Sequence, residues 1–317
     1  MSPYLLTEKA TEENFTEEAY LAANPDVAED VKKGISLKSG RQHFDIFGKN
    51  EGRCIRLPFS VISEAKKLKL ERVKYLLRAD MPYIENTRHF FDFLNDEIKV
   101  KYNIINTGAV SNNAYDRKVE ELIIKYKDGL ILDCGAGRRN EYYENIVNFE
   151  IVDYDTTDVV GVGEMLPFID GAFDAVISLS VLEHVKDPFQ CAKEISRVLK
   201  PGGSLICSVP FLQPYHGYPD HYYNMTYQGL KNIFEGLLDI DKIEIDEKAL
   251  PIWSLTWILR NWSEGLSGEA KDEFLQLKVS DLIDTADKYL DKSFVKELTD
   301  EKNRELAYAT VIFAHKQ

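Results

Sequence analysis

Beyond residue 101 the chain alternates apolar runs of strand length with amphipathic stretches of helix length. That pattern predicts an α/β fold, a parallel sheet with helices on both faces. Two local features support it. Leu130-Ile-Leu-Asp-Cys-Gly-Ala-Gly137 is an apolar run ending in Asp133 that opens into a turn with glycines two apart, the form of a buried strand whose end meets a ligand. Ile195-Ser-Arg-Val-Leu-Lys-Pro-Gly-Gly203 reads as a helix stopped by Pro-Gly-Gly just before a strand. Strands are predicted at 130–134, 146–151, 173–179, 203–209, 240–246 and 308–315, with a helix from Asp116 to Lys127 ahead of the first.

With 317 residues, the chain has room for one large domain with an appendage, or for two domains. A hydrophobic content of 44%, with 16 Phe and 17 Tyr, is ample for a packed core. The net charge of −14 argues against a nucleic-acid substrate, which needs clustered Lys and Arg, and against adsorption to an anionic membrane. Cys54, Cys134, Cys191 and Cys207 are scattered, with no CxxC spacing, which suits free thiols in a reducing compartment. Glu8, Glu12 and Glu13 stand where an export signal needs positive charge, and no apolar stretch approaches the length of a membrane span. A cytoplasmic location without membrane insertion is the expectation.

Residues 1–58 read as a helical module. Phe15 to Val31 has helical spacing, interrupted at Asn24-Pro25 and restarted with Asp26 as N-cap; a second short helix from Ser39 is expected to stop at Gly48. The pattern Tyr-Leu-x-x-Asn-Pro-Asp-Val followed by His-Phe-x-x-x-Gly-x-x-Glu-Gly-Arg resembles a small module attached to bacterial glycan- and surface-modifying enzymes. A contact to a partner protein is what such a module implies. His43 is read as a packing residue, because no second ligand lies nearby in sequence. Residues 59–100 read as a helical connector whose Lys/Arg run after Glu64 is a solvated face.

The glycine turn excludes two cofactor classes. A phosphate-cradling loop needs Lys-Ser or Lys-Thr after its last glycine, and a dinucleotide turn needs a third glycine where this chain has Asn140. An acid with two glycines suits a cofactor with a ribose and an amino-acid tail but no phosphate, which is S-adenosylmethionine. Glu150, at the end of the second strand, is placed to take both ribose hydroxyls, with Asp153 the second choice and Asp155 just beyond.

Further segments follow in order: Gly163-Glu-Met-Leu-Pro-Phe168, Asp170-Gly-Ala-Phe-Asp174, Leu182-Glu-His-Val185 and Arg197-Val-Leu-Lys-Pro-Gly-Gly203. Together with Leu-Asp-x-Gly-x-Gly they make residues 101–317 resemble a class I S-adenosylmethionine-dependent methyltransferase. The resemblance implies a Rossmann-like, mostly parallel seven-stranded sheet with an antiparallel last strand. It also implies that Asp133, Gly135, Ala136 and Gly137 line the methionine end, and that Glu150 and Ile151 meet the ribose side. Gly163, Glu164, Met165 and Leu166 would flank the adenine, with Ser180 beneath the cofactor. Many relatives carry an Asp where this chain has Val162, so the adenine amino group falls to backbone groups or to Glu164. Arg197 is read as a surface or ion-pair residue, and His184 as satisfying backbone groups.

The loop Val209 to Thr226 is rich in Pro, His and Tyr and leaves the same rim, which makes it the expected acceptor site. Its form resembles loops of methyltransferases in glycan and natural-product clusters. His216 or His221 can serve as general base, with Asp220 orienting the imidazole. A metal on His216, Asp220 and His221 lacks a third firm ligand, so no metal site is assigned. Pro251 to Trp262 holds all three Trp on a predicted amphipathic helix, as a lid, a homodimer contact or a helix buried on the sheet edge. Residues 264–304 read as acidic and helical. The expected function is O-methylation of a sugar, glycan or other hydroxylated small molecule; the alternatives are N- or C-methylation, or a cofactor-binding scaffold without catalysis.

Overall fold

Two short strands, β1 (Tyr4–Leu5) and β2 (Thr7–Lys9), begin the chain in this computed structural model, which describes residues 2–34, 36–86, 88–105, 114–217 and 220–311. Helix α1 (Glu17–Ala23) is capped by the Thr16 hydroxyl. Helix α2 (Pro25–Lys33) starts with Pro25 in its first turn, so the interruption falls where expected. Its N-cap is Asn24 rather than Asp26, and the Asn24 side chain instead donates to the carbonyls of Tyr20 and Cys54.

Gly48 does not stop the next helix. Helix α3 (Gly40–His43) continues through a π-type stretch (Phe44–Gly48) into α4 (Lys49–Glu51), and Gly52 at φ +67 ends it. Gly48 is needed for close packing, since a Cβ there would strike the Tyr20 hydroxyl. Strand β3 (Cys54–Arg56) pairs antiparallel with β2, and Tyr20, Val27, Phe44 and Ile55 form the module's core. His43 is buried there with its Nδ1 at 2.8 Å from the Tyr20 hydroxyl, a packing role.

The stretch 59–100 is helical only in part. After α5 (Ser63–Val73) come β4 (Ile84–Asn86) and β5 (Phe90–Asp92), an antiparallel pair, then α6 (Asp96–Tyr102). Helix α7 (Arg117–Lys125), capped by Asp116, precedes the strands β6 (Ile131–Cys134), β7 (Glu141–Tyr142), β8 (Ile146–Glu150), β9 (Val159–Val160) and β10 (Phe173–Leu179). Helix α8 (Pro188–Val198) leads into β11 (Leu199–Ser208).

Among the described residues the main sheet has seven strands in the order β11-β10-β6-β8-β9-β5-β4, all parallel except β4. The count and the mostly parallel character agree with expectation, but the membership differs. Among the described residues the antiparallel strand is β4, contributed from upstream of β6. Residues 240–246 form no strand; Glu244 meets Lys118 of α7 at 2.6 Å, and Ile243 and Ile245 stand exposed. The predicted strand 308–315 is irregular over 308–311, and its remainder lies outside the described residues.

The Lys/Arg face of α5 is not solvated throughout. Lys66 and Lys69 are 1% and 2% exposed, and their ammonium groups tie the helix to the sheet. Lys66 donates to the Asp155 carbonyl at 3.0 Å; Lys69 bonds Asp158 at 2.6 Å and the Tyr143 and Ile146 carbonyls. Burial pushes both ammonium groups down to about 8, against the attraction of Asp158. An unfolded lysine titrates near about 10.4, so between those values the unfolded chain holds more protons than the folded one, and stability from these groups rises with pH. The melting temperature of the parent relative to Lys66→Met is therefore expected to rise from pH 8 to pH 10. A constant difference, followed by circular dichroism, contradicts that placement.

The module is fastened to the sheet domain. β1 pairs antiparallel with β7, the Leu6 amide donates to the Asn140 carbonyl at 2.8 Å, and the Arg56 guanidinium forks onto Asp155 at 2.8 and 3.0 Å. Helix α9 (Tyr227–Phe234) covers the sheet beside α8. The helices α10 (Pro251–Glu264), α11 (Gly268–Gln276), α12 (Val279–Leu282), α13 (Ser293–Lys296) and α14 (Asp300–Leu306) then form a satellite with its own small core. Among the described residues no helix is long and apolar enough to cross a membrane. All four cysteines are free.

Candidate active site

The chain leaves β6 toward β8 and β9 on one side, and returns through β10 and β11 on the other. The carboxyl ends of β6 and β10 therefore flank the point where strand order reverses, which is where open α/β sheets hold ligands. The glycine turn follows β6, Glu150 closes β8, residues 161–166 follow β9, Ser180–Val185 follow β10, and the His-rich loop follows β11. Topology alone brings every predicted site segment to one rim.

Within the glycine turn, Gly135 and Gly137 have φ of +85 and +64, a region that favours glycine. A Cβ on Gly135 would overlap the Val181 methyls, with Cγ1 at 2.8 Å. The amides of Gly135 and Ala136 both donate to the Phe149 carbonyl, at 2.9 and 3.0 Å, and the Gly137 amide donates to Glu150 Oε2 at 2.7 Å. All three amides are spent inside the protein. No anion-binding nest is left, which agrees with a cofactor lacking phosphates.

Glu150 also accepts its neighbour Ile151's amide through Oε1 at 2.7 Å, and burial pushes its carboxyl above the usual range, with the two amides opposing. The other two acids are committed elsewhere: Asp153 pairs with Arg88, and Asp155 with Arg56. Asp133 is fully buried. Its Oδ2 takes the Tyr115 hydroxyl at 2.5 Å and the Arg139 guanidinium at 2.6 and 3.0 Å, while Oδ1 is buried with no partner. Arg139 lies 4.1 Å over the Tyr115 ring. Neither Tyr115 nor Arg139 stands out in the sequence, because their roles depend on contacts that no local motif encodes.

The adenine side departs from expectation at one position. Leu166 is fully buried core, and its amide is held by Glu194 at 2.9 Å. Glu164 Oε1 accepts the Lys186 and Asp187 amides at 3.1 and 3.4 Å. Ile151 and Met165 remain half-buried around Val162, beneath α6. Gly163 packs against Cys191, whose Sγ would meet a Cβ at 2.7 Å. Ser180 is exposed at the end of β10 with φ +55, a strained state for a non-glycine residue and one that clusters at functional sites.

At the acceptor end His184, His216 and His221 gather, with ring centroids 4.3 to 5.6 Å apart. Asp220 does not orient an imidazole through its carboxylate, which instead receives Asn103 at 2.6 Å and the Tyr222 hydroxyl at 2.9 Å. Its backbone carbonyl does that work for His184, at 2.6 Å from Nδ1. His221 has both nitrogens occupied: Nδ1 accepts the His216 amide at 3.1 Å, and Nε2 donates to Asn224 at 3.0 Å. It has no lone pair free to act as a base.

His216 Nδ1 donates to the Pro214 carbonyl at 2.9 Å. His184 and His216 thus share one tautomer, Nδ1–H, which leaves each Nε2 with an unprotonated lone pair. Burial lowers the proton affinity of His184 and keeps it neutral near neutral pH. Glu183, which sequence alone does not single out from its neighbours, is fully buried with neither carboxylate oxygen hydrogen-bonded and Oε1 3.8 Å from His184 Nε2, and burial pushes its carboxyl up to about 8. Trp257 of α10 lies 5.3 Å from the His216 ring, so the Trp helix roofs this cluster. It packs on α11 and α14 instead of the sheet edge, with Ile252, Trp253 and Leu255 exposed.

Residues 132–207 match the family model described as "Methyltransferase domain". The chain is 42% identical over 57 residues to an uncharacterized methyltransferase of Mycobacterium sp. (strain KMS), covering 18% of this chain and 23% of that protein. It is 47% identical over 53 residues to the demethylmenaquinone methyltransferase of Corynebacterium glutamicum (strain R), covering 17% and 23%. The matched segments are less than a quarter of those relatives' length. Among solved structures it is similar to the 1,6-didemethyltoxoflavin-N1-methyltransferase of Burkholderia thailandensis, with 15% identity, a TM-score of 0.32 and coverage of 42% of this chain and 72% of that one. A SAM-dependent methyltransferase from Archaeoglobus fulgidus gives 16%, 0.30, 44% and 83%.

Proposed function

We propose that this chain, whose residues 132–207 match a methyltransferase-domain model, transfers a methyl group from S-adenosylmethionine to a hydroxyl of a sugar, glycan or other hydroxylated small molecule. The observation that carries the cofactor reading is the glycine turn, whose amides are all consumed by β8 and whose neighbour is the Glu150 carboxylate. Bare backbone and carboxylates suit a ribose and an ammonium-bearing tail. They do not suit a pyrophosphate.

The cofactor, when bound, supplies an electrophilic methyl on a sulfonium. The chain's own residues position it. Gly135 to Gly137 and the unpartnered Asp133 Oδ1 face the methionine end, Glu150 takes the ribose, and Ile151, Gly163 and Met165 flank the adenine. His184 and His216 face the acceptor, where a hydroxyl losing its proton as the new O–C bond forms needs a lone pair. The crowded Tyr and Trp side chains of this rim suit the apolar faces of a sugar ring.

His184→Ala and His216→Ala are each expected to lower methyl transfer by about 100-fold or more while S-adenosylmethionine still binds. His221→Ala should lose less, because its nitrogens only brace its neighbours. Radiolabel from the methyl donor, followed into glycan and small-metabolite fractions, tests the acceptor class. Label appearing only on protein, or nowhere, overturns it.

A further inference from the structure

We infer that Glu183, His184 and His216 bind one divalent first-row transition-metal ion at the acceptor end of the cleft. The inference deepens the function proposed above and rests on the reading of this rim as the acceptor site. One ligand atom from each of the three residues lies within 4.8 Å of the others. Around an ion with bonds of about 2.1 Å, ligand atoms sit roughly 3.4 Å apart, so side-chain shifts of about 1 Å close the set.

Three features of the cluster point to a ligand. First, the Glu183 side chain is fully buried and neither oxygen has a hydrogen-bond partner. A carboxyl placed in this way costs stability unless something binds it. Second, the two histidines are held alike. A backbone carbonyl fixes Nδ1–H on each, Asp220 O for His184 at 2.6 Å and Pro214 O for His216 at 2.9 Å. That second contact is what metal-ligating histidines have, because it sets the tautomer and aims the Nε2 lone pair. Third, the His221 ring packs against both imidazoles, and the Trp257 ring lies 5.3 Å from that of His216.

Two imidazoles and one carboxylate suit Mn, Fe, Co or Zn in the divalent state, whereas Mg and Ca favour all-oxygen sets. Three protein ligands leave positions open. Those positions fit the adjacent hydroxyls of a sugar-like acceptor. With the ion bound, both Nε2 lone pairs are committed to it and neither imidazole serves as the base; a hydroxyl on the ion loses its proton to water more readily, its oxygen then bonds the methyl carbon as the carbon–sulfur bond breaks, and a neutral thioether leaves.

The test uses the full chain stripped with a chelator and titrated calorimetrically with CoCl2 and then ZnCl2. Parallel titrations use S-adenosylhomocysteine. One ion per chain is expected, bound at least 10-fold more weakly by both Glu183→Gln and His216→Ala, with S-adenosylhomocysteine binding unchanged. Cobalt should also give visible absorption bands that both variants lose. No binding by the parent, or equal binding by parent and both variants, overturns the inference. If the nucleoside binds and the metal does not, the metal site falls and the cofactor reading stands. If the metal binds and the nucleoside does not, the metal site stands and the cofactor reading falls.

Discussion

Replacing Gly135 by alanine weakens S-adenosylmethionine binding by about 100-fold or more while the protein stays folded. Two effects act together. At φ +85 a side chain strains the backbone by roughly 1–2 kcal/mol. The new Cβ also meets the methyls of Val181, Cγ1 at 2.8 Å. Val181 is β-branched and has few rotamers. It also follows Ser180, whose amide is tied to the Ser208 carbonyl at 2.9 Å. The turn must therefore move, and Gly137 and Glu150 move with it because one hydrogen bond joins them. Gly34→Ala is the control. Its φ of +63 is strained too, yet nothing lies within 4 Å of a Cβ there, so binding should not change. Equal affinities for parent and Gly135→Ala by calorimetry contradict this role of the turn.

Lys69→Ala is expected to destabilise the fold by about 3–5 kcal/mol, the usual cost of removing one partner from a buried ion pair. The Lys69 ammonium bonds Asp158 at 2.6 Å and two backbone carbonyls, and sits 3.6 Å over the Tyr142 ring. Without it Asp158 keeps the Tyr142 hydroxyl and the Asn148 amide but loses its contact ion pair, and only the attraction of the Lys66 ammonium is left as counter-charge. The double variant Lys69→Met with Asp158→Asn removes both charges and should recover part of the loss. Urea denaturation followed by fluorescence measures both. A loss under about 1 kcal/mol for the single variant would mean that α5 is not anchored through this pair.

The central sheet was readable from sequence because β6, β8 and β10 are apolar runs closed by acids, serine or glycine, and because β11 carries a short apolar run after Pro-Gly-Gly, although the strand itself already starts at Leu199, where a helix end was expected. The short members were not. β9 is two residues long, and β4 and β5 are three each, too short for periodicity to register. Residues 240–246 failed in the opposite way. Their alternating Ile, Asp, Lys and Glu satisfy a strand pattern, but a strand also needs a neighbouring edge, and these residues pair with none. The Lys run of α5 looked solvated because charge alone does not reveal a buried carboxylate such as Asp158.

Around the site, motif residues are legible where the backbone itself is the message, as in the glycine turn. The roles of Asp220 and His221 differ from expectation, since sequence shows which polar groups share a loop but not which lone pairs are already used. Glu183 and His184 sit inside a recognisable Leu-Glu-His-Val segment. Only the structure shows that the glutamate has no partner and that His184 holds the same tautomer as His216.

The most direct test of the central claim is calorimetric titration of the unmodified chain with S-adenosylhomocysteine, followed by competition with ATP and NAD. One nucleoside per chain, undisturbed by either phosphate-bearing competitor, is the predicted result. Failure to bind S-adenosylhomocysteine, or displacement of it by NAD or ATP, would contradict the assignment of the Asp133–Gly137 turn.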